Sequence, residues 1–540
     1  DSMNARTQEN LIAIRVAMAA PPASRPGGTA GPPLPVAGDQ KICHVYRHRL
    51  HENGPVQMND AHLLSEAEAL RFHAAEQHIL SRIGTGEFPP GARLPSLRAV
   101  SRGLSVSIAT ASRAYLELER KGLIEARPRS GYFVRRGVGG LPEPRPVPAR
   151  PAPPIAVNRS GLIAAALSGL GDSTLLPLGV VCPSPEVLPG PQLARIMAGV
   201  LRRGAGRDLD YCPIPGLPAL RRQVAFRCAA HGEAVSPDDV LITAGAMEAL
   251  YIALRVLTRP GDAVAIPTPT YYCFLQLLET LGVRAVEVRS RPGAGVDPAE
   301  LAAAVDRHQV AACVLCPNFN NPDGSLMPEA AKAEVVELLA ARGVPLVEDD
   351  VYGDLPFGPG RPGTCKAHDR AGLVLSCSSF SKTLAPGWRV GWILPGRFMA
   401  EALRVKSSTN VSTAAPVQMA LAEYLEGGRF ERHLRGLRQV NQRTVASLRH
   451  CLSAEFPPGT RASDPQGGSH VWVELPPGGD GVDLFLKARA AGIGIVPGNV
   501  FSTRDEFRNF VRLSCGGLWT AKLRDGVRTL GRLAAEAALG

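Results

Sequence analysis

Residues 378–392 read SSFSKTLAPGWRVGW. A single lysine, Lys382, stands in a serine-rich turn, and Arg389 follows just before the apolar run VGWIL. Serine hydroxyls and a guanidinium suit a phosphate dianion. A lysine amine beside them is a nucleophile towards a carbonyl carbon. The stretch therefore raises the question of which ligand carries both groups, and the neighbouring segments answer it.

Upstream, short apolar runs alternate with longer helical patterns: VLITAG, AMEALYIALRVLT, AVAIP, YCFLQLLETLG, RAVEV, DPAELAAAVDRH, VAACVLC, PEAAKAEVVELLAARG and VPLVEDD. Runs of four to six apolar residues without polar alternation predict strands buried on both faces, and intervening helices make the sheet mostly parallel. Downstream, about residues 395–540 mix long helices with strands such as HVWVEL and RNFVRLS, predicting a smaller C-terminal α+β part. No internal repeat is present.

The polar residues at the predicted strand ends form a series. TAGAMEAL is a strand, a glycine turn and a helix, so the amides of Gly245, Ala246 and Met247 make a candidate anion site. TPTYYCF places Tyr271 past the next strand, where its ring can stack on a planar ligand. NFNNPDG offers Asn321 in a turn, with an amide able to hydrogen-bond a phenolic oxygen. LVEDDVYGD ends an apolar strand with consecutive acids, including Asp349, and then Tyr352. Buried acids need a cationic partner, for which either a protonated ring nitrogen or an arginine would serve. Singly, these are a common turn, a core tyrosine, a turn asparagine and an ion-paired acid. Together with Ser379, Ser381, Lys382 and Arg389 they suit one ligand with a phosphate, a ring nitrogen, a phenolic oxygen and an aldehyde, which is pyridoxal 5′-phosphate (PLP).

The first quarter of the chain has another character. Residues 71–140 hold 12 Lys/Arg against 5 Asp/Glu, a surplus of +7 within a whole-chain net charge of +11. RFHAAEQHILSRIGTG predicts a helix with Phe72, Ala75, Ile79 and Ile83 on its apolar face, ended by Gly84 or Gly86. A proline-rich loop and a short helix from about Ser96 follow. VSIATASRAYLELERKG predicts a third helix, capped by Ser107 and closed by Gly122, with Ile108, Ala111, Tyr115 and Leu118 on one face. LIEARPRSGYFV predicts a hairpin turning at Pro128 to Gly131. Three helices, a hairpin and a basic surplus describe a winged helix-turn-helix that reads double-stranded DNA. Its wing puts Arg127 and Arg129 within reach of phosphate or the minor groove.

Between head and body, residues 141–154 (LPEPRPVPARPAPP) are half proline, which predicts an extended, semi-stiff spacer. Residues 1–60 read as a disordered tail rich in Pro, Ala and Gly, with Met58 a candidate start of translation. The expected organisation is tail 1–60, winged helix-turn-helix 65–136, linker 137–157 and PLP-binding body 158–540. The 11 scattered cysteines point to reduced thiols and a cytoplasmic protein. Cys313 and Cys316 have CxxC spacing but sit in an apolar run, which favours buried strand cysteines over a metal or redox site. No apolar run approaches membrane-spanning length, and Arg15 interrupts LIAIRVAMAA, which argues against a secretion signal.

The head resembles the GntR family of bacterial regulators through PPGARLPSLRAV and SVSIATASRAYLELERKGLIEARPRSGYFV. The resemblance implies DNA contacts from Arg98, Ser107, Thr110 and the wing. Where many members carry an arginine this chain has Ile108 and Ala109, and Arg113 is the candidate that compensates. The body resembles fold-type I, class I aminotransferases. That implies Lys382 as the Schiff-base lysine, Asp349 on the ring nitrogen, Asn321 and Tyr352 on the phenolic oxygen, and Tyr271 stacked on the ring. It implies Gly245, Ala246, Met247, Ser379, Ser381 and Arg389 around the phosphate, with Tyr211 reaching the phosphate in the neighbouring subunit. Arg512 corresponds to the arginine that binds a substrate carboxylate. Val180 and Val181, in LGVVCPSPEVLP, stand where glycine is frequent.

The combination resembles the MocR (GabR/PdxR-like) subfamily of GntR-type regulators. It implies a head-to-tail homodimeric transcription factor that senses PLP, or an adduct of PLP with an amino acid or amine. The alternative is a working aminotransferase with an accessory DNA-binding head.

Overall fold

The computed structural model describes residues 72–540, apart from short segments (84–86, 89–91, 121–122, 128–129, 135–140, 147–152, 168–171) and scattered single positions. The expected tail 1–60, Arg129, the turn at Pro128 and the helix ends at Gly84, Gly86 and Gly122 lie outside the described residues.

In the head, residues 74–80 are helical (α1), followed by α2 (Leu97–Gly103) and α3 (Ile108–Arg120). Strands β1 (Ile124–Arg127) and β2 (Gly131–Val134) pair antiparallel as the wing. Ser96 caps α2 by accepting the Ala99 N–H, and Ser107 accepts the Thr110 N–H at 3.0 Å at the start of α3. Ala75, Ile79, Ala111, Tyr115 and Leu118 are fully buried in one small core, and the Tyr115 hydroxyl donates to the Pro95 carbonyl. Ile108, expected on that apolar face, is instead 52% exposed. It opens α3 directly after the Ser107 cap.

The body is built on a nine-stranded sheet. Its strands are β3 (Ile155–Ala156), β4 (Leu241–Thr243), β5 (Ala263–Thr268), β6 (Arg284–Arg291), β7 (Gly295–Val296), β8 (Ala312–Leu315), β9 (Leu346–Asp349), β10 (Val374–Ser379) and β11 (Gly391–Leu394). Their order is β3-β6-β5-β8-β9-β10-β11-β4, with β7 on β6. The central run from β6 to β10 is parallel, and β11 is antiparallel to both neighbours. Strands β8, β9 and β10 are buried at every residue; β8 is an unbroken apolar run, whereas β9 ends in two acids and β10 carries Ser376, Ser378 and Ser379. Helices α4 (Ala246–Leu257), α5 (Tyr272–Leu281), α6 (Pro298–His308) and α7 (Glu329–Ala341) make the crossovers. Asp297 caps α6 through the Ala299 and Glu300 N–H groups, with Pro298 in the first turn.

A second sheet, β12 (Arg461–Ala462), β13 (His470–Glu474), β14 (Val496–Pro497) and β15 (Phe510–Ser514), is antiparallel in the order β12-β13-β15-β14. Residues 141–146 of the proline-rich stretch lie along its β12 side: Ala462 N–H donates to the Pro142 carbonyl, and Pro144 is buried. Among the described residues no helix is long and apolar enough to cross a membrane.

Candidate functional site

The parallel strands end on one side of the sheet, and their loops enclose a cavity of about 300 Å³. Lys382, Asp349, Asn321, Tyr271, Tyr352, Ala246, Met247, Ser379, Ser381, Arg389 and Arg512 all line it. Residues up to 266 positions apart thus meet where open α/β sheets place their ligands.

Lys382 Nζ donates to the Val181 carbonyl at 2.7 Å and lies 3.6 Å from Cys182 Sγ. The three acids ending β9 have three different fates. Glu348 accepts the Cys365 and Lys366 N–H groups, and burial pushes its carboxyl up to about 8. Asp350 forms an ion pair with Arg361 and accepts from Asn318 Nδ2. Asp349 is 4% exposed, and its Oδ1 has no hydrogen-bond partner. Burial, reinforced by the charge of Asp350, raises its carboxyl from 3.8 to about 7. The arginine partner that the sequence left open therefore belongs to Asp350, and Asp349 is the acid turned to the cavity.

Beside Arg389, Gly245 has φ of 88° and caps α4. A Cβ there would collide with the Arg389 guanidinium, so the cradle requires glycine in both conformation and space. Arg389 itself is left-handed (φ 52°), and its guanidinium donates to Ser381 Oγ at 3.1 Å. Ser379 Oγ accepts the Ser381 N–H. The amides that open α4, two hydroxyls and an arginine converge here on a volume suited to a phosphate.

Tyr352 OH lies 3.5 Å from Asn321 Nδ2, and burial raises its phenol. Tyr271 packs against Tyr272 and Phe274, with ring centroids 4.8 and 5.7 Å away. Arg512 is 1% exposed; it donates to Asn321 Oδ1 at 3.0 Å and to the Gly179 carbonyl, while its Nε has no partner. Tyr211 is not part of the cavity. It is 81% exposed, and Leu209 and Phe226 are also largely exposed.

Two cavity neighbours carry no signal in the sequence. His470 places its ring 5.3 Å from that of Tyr352 and bonds the Asn320 carbonyl. Burial draws it down to about 3, so it is neutral. Cys182 stands beside the lysine. Neither has a spacing signal, since one opens an apolar strand and the other lies in a loop.

In the head, Arg98 is exposed on α2. Ser107 and Thr110 share a hydroxyl contact of 2.8 Å at the exposed end of α3. Arg113 lies over the Phe72 ring, and Arg127 lies over Phe133 and pairs with Glu125. Cys313 and Cys316 are buried, and burial pushes both thiols up.

The profile of the class I and II aminotransferases matches residues 189–530, and that of the gntR family of bacterial regulatory proteins matches residues 73–134. This chain is a GntR-headed member of the class I and II aminotransferase family, the MocR-like arrangement. The MocR-like chain is 36% identical over 474 residues to the uncharacterized HTH-type transcriptional regulator YdcR of Escherichia coli, covering 86% of this chain and 99% of that one. It is 28% identical over 485 residues to the HTH-type transcriptional regulator TauR of Rhodobacter capsulatus, covering 85% and 96%. Among solved structures, LysN, the α-aminoadipate aminotransferase of Thermus thermophilus complexed with N-(5′-phosphopyridoxyl)-L-leucine, superposes with a TM-score of 0.65. It is 30% identical and covers 71% of this chain and 100% of its own. The head is therefore a GntR winged helix, and the body has the fold of PLP-dependent transferases.

Proposed function

We propose that this MocR-like regulator holds PLP in the body cavity and that the loaded body, with or without a bound amino compound, controls how the head engages operator DNA. The observation that carries this reading is Asp349, a buried carboxyl without a hydrogen-bond partner on Oδ1, in a cavity that Lys382 and the residues of the anion cradle also line. A neutral or anionic ligand end would leave Asp349 uncompensated, whereas a protonated pyridine nitrogen compensates it. PLP, when bound, supplies an aldehyde carbon that a lysine amine can capture and an electron-withdrawing ring.

The chain's own residues divide the remaining work. Gly245, Ala246, Met247, Ser379, Ser381 and Arg389 fix the phosphate. Tyr271 covers the ring, and Asn321 and Tyr352 meet its phenolic oxygen. Lys382, whose Nζ lies on the Val181 carbonyl, would supply the amine that holds the aldehyde. Arg512, with its spare Nε, anchors the carboxylate of an amino acid effector. Tyr211, exposed like nearby Leu209 in the chain, suits burial against a second copy, where it would reach that copy's phosphate in a head-to-tail homodimer. In the head, Arg98, Arg113, Arg127 and Arg129 bind the DNA backbone, and Ser107 and Thr110 stand at the end of α3 that enters the major groove. The domain limits that accompany this reading are 65–136 for the head, 137–157 for the linker and 158–540 for the body.

A ligand shifts the regulator only as far as it binds two body conformations differently. The test is a gel-shift titration on DNA upstream of the protein's own gene at fixed salt, with apo protein, PLP-loaded protein, PLP plus an amino acid panel, and Lys382→Ala with PLP. Specific binding that responds to PLP and loses the response in Lys382→Ala supports the sensor. Absence of specific binding from protein that still carries PLP overturns it. A second reading, turnover as an aminotransferase, is favoured by Lys382 and Arg512 standing in one cavity, and amino-group transfer to a keto acid would reveal it.

A further inference from the structure

Residues 175–181 (LLPLGVV) form one wall of the PLP cavity. The segment alternates. Leu176 and Leu178 are buried in one core with residues of the second sheet, while Leu175, Pro177 and Gly179 line the cavity. Leu176 and Pro177 pair in parallel with Ile493 and Gly494, which fixes this register. The pairing brings Gly494 and Ile495 into the same wall. A Cβ on Gly494 would lie 3.7 Å from the Leu175 side chain, and one on Gly179 would lie 3.0 Å from the Ile495 backbone.

The same segment touches both groups that would receive an amino acid. The Gly179 carbonyl accepts from Arg512, and the Val181 carbonyl accepts from Lys382 Nζ at 2.7 Å. Val180, half-buried between them in the chain, also lines the cavity. An amino acid with its carboxylate at Arg512 and its amine at Lys382 would lie along residues 179–181, with Leu175, Val180 and Ile495 as adjoining side chains. The Tyr272 ring, 5.7 Å from the Arg512 guanidinium, adds more carbon surface.

The charges in the lining narrow the ligand further. The charged side chains that line the cavity are Asp172, Asp349, Lys382, Arg389 and Arg512. PLP and the α-carboxylate of an amino acid would engage the last four. The one that remains is an acid. Asp172 Oδ1 accepts both the hydroxyl and the N–H of Thr174, and these bonds, helped by the charge of Arg489, hold its carboxyl below the usual range. A second carboxylate on the effector would therefore find no free cation and would meet Asp172. A cationic side chain would find Asp172 already engaged. A hydrocarbon side chain, by contrast, would leave water for an apolar wall.

We propose that the effector is an α-amino acid with an uncharged, apolar side chain, selected by Leu175, Val180 and Ile495 against dicarboxylic and basic amino acids. This rests on the PLP-sensor reading and adds to it the class of effector.

The experiment uses full-length protein loaded with PLP, with loading read first by absorbance after dialysis. Isothermal titration then compares L-leucine, L-methionine, L-alanine, L-glutamate and L-lysine. The tighter of leucine and methionine should bind at least roughly ten-fold more strongly than alanine, glutamate and lysine. Val180→Arg and Leu175→Arg each add a cation from a half-buried position, and at least one should move the glutamate-to-leucine affinity ratio roughly ten-fold or more towards glutamate. The proposal is overturned if alanine, glutamate or lysine binds within about ten-fold of the tighter apolar amino acid. It is equally overturned if neither arginine variant moves the ratio, or if no amino acid binds at millimolar concentration to protein that keeps its PLP. Should one arginine variant fail to fold, the wild-type panel and the other variant decide. Protein that keeps no PLP refutes the sensor reading itself, and this proposal with it.

Discussion

Replacing Asp349 with asparagine should move stability and cofactor retention in opposite directions. Asp349 is buried, lacks a hydrogen bond on Oδ1 and has its carboxyl raised from 3.8 to about 7. Such a rise corresponds to roughly 4 kcal/mol of unfavourable charge burial once the group is ionised, an upper bound for a site that can relax. In the apo protein the folded state keeps this proton after the unfolded chain has lost it. Apo stability should therefore fall as pH rises from about 4 to about 7 and stay low above that window. An asparagine amide cannot ionise, so apo Asp349→Asn should melt higher than wild type at pH 8 and show little of that decline. With PLP the sign reverses. In the proposed PLP complex ionised Asp349 would face a protonated ring nitrogen, and the variant should lose on the order of 100-fold or more in PLP affinity, part of the same 4 kcal/mol. The assay is a pair of thermal melts, apo and PLP-loaded, at pH 5 and pH 8, with dialysis and absorbance to follow cofactor retention. A variant that melts lower in the apo form at pH 8 and retains PLP like wild type would refute the assignment of Asp349 as the uncompensated acid.

Other substitutions test separate parts of the site. Gly245→Ala puts a Cβ onto the Arg389 guanidinium at a positive φ, and should lower PLP-phosphate affinity at least ten-fold with a stability loss of about 1–3 kcal/mol, measured by titration with PLP and with its dephosphorylated analogue and by melting. Arg361→Leu strips the ionic partner from buried Asp350, while half-buried Asp354 keeps Arg227, and should destabilise the body by about 3–5 kcal/mol in a urea melt, whether or not PLP is present. Ser107→Ala removes the α3 cap and should cost about 1 kcal/mol in the head transition, while the body transition is unmoved. Arg512→Lys should leave PLP binding intact but weaken an amino acid effector roughly ten-fold, because the two-pronged guanidinium contact is lost, as read by spectral titration of the loaded protein.

Much of this architecture is legible in the chain itself. The GntR and aminotransferase motifs are local, and the strand-end residues fall in a fixed chain order, so the cofactor set can be assembled position by position. The buried strand β8 reads as an unbroken apolar run because both its faces are covered. Ser107 is recognisable as a cap because capping involves only residues three apart. His470 and Cys182 are not, because their relation to Tyr352 and Lys382 exists only once distant segments pack. Spacing alone assigns Ile108 to the apolar face, and periodicity carries no knowledge of where neighbouring helices end.

The order of elements, the proline spacing between head and body, and the set of groups able to meet PLP all follow from the chain alone, since periodicity, turn chemistry and side-chain chemistry are written residue by residue. Which of the acids Glu348, Asp349 and Asp350 stays uncompensated is settled by packing. Burial is shared by all three, and the arginine and amides that satisfy two of them come from residues 361–366, a separate loop. Packing likewise lays the proline-rich segment along the body. Proline sets an extended backbone, whereas docking depends on whether β12 and Glu474 present hydrogen-bonding partners along its path.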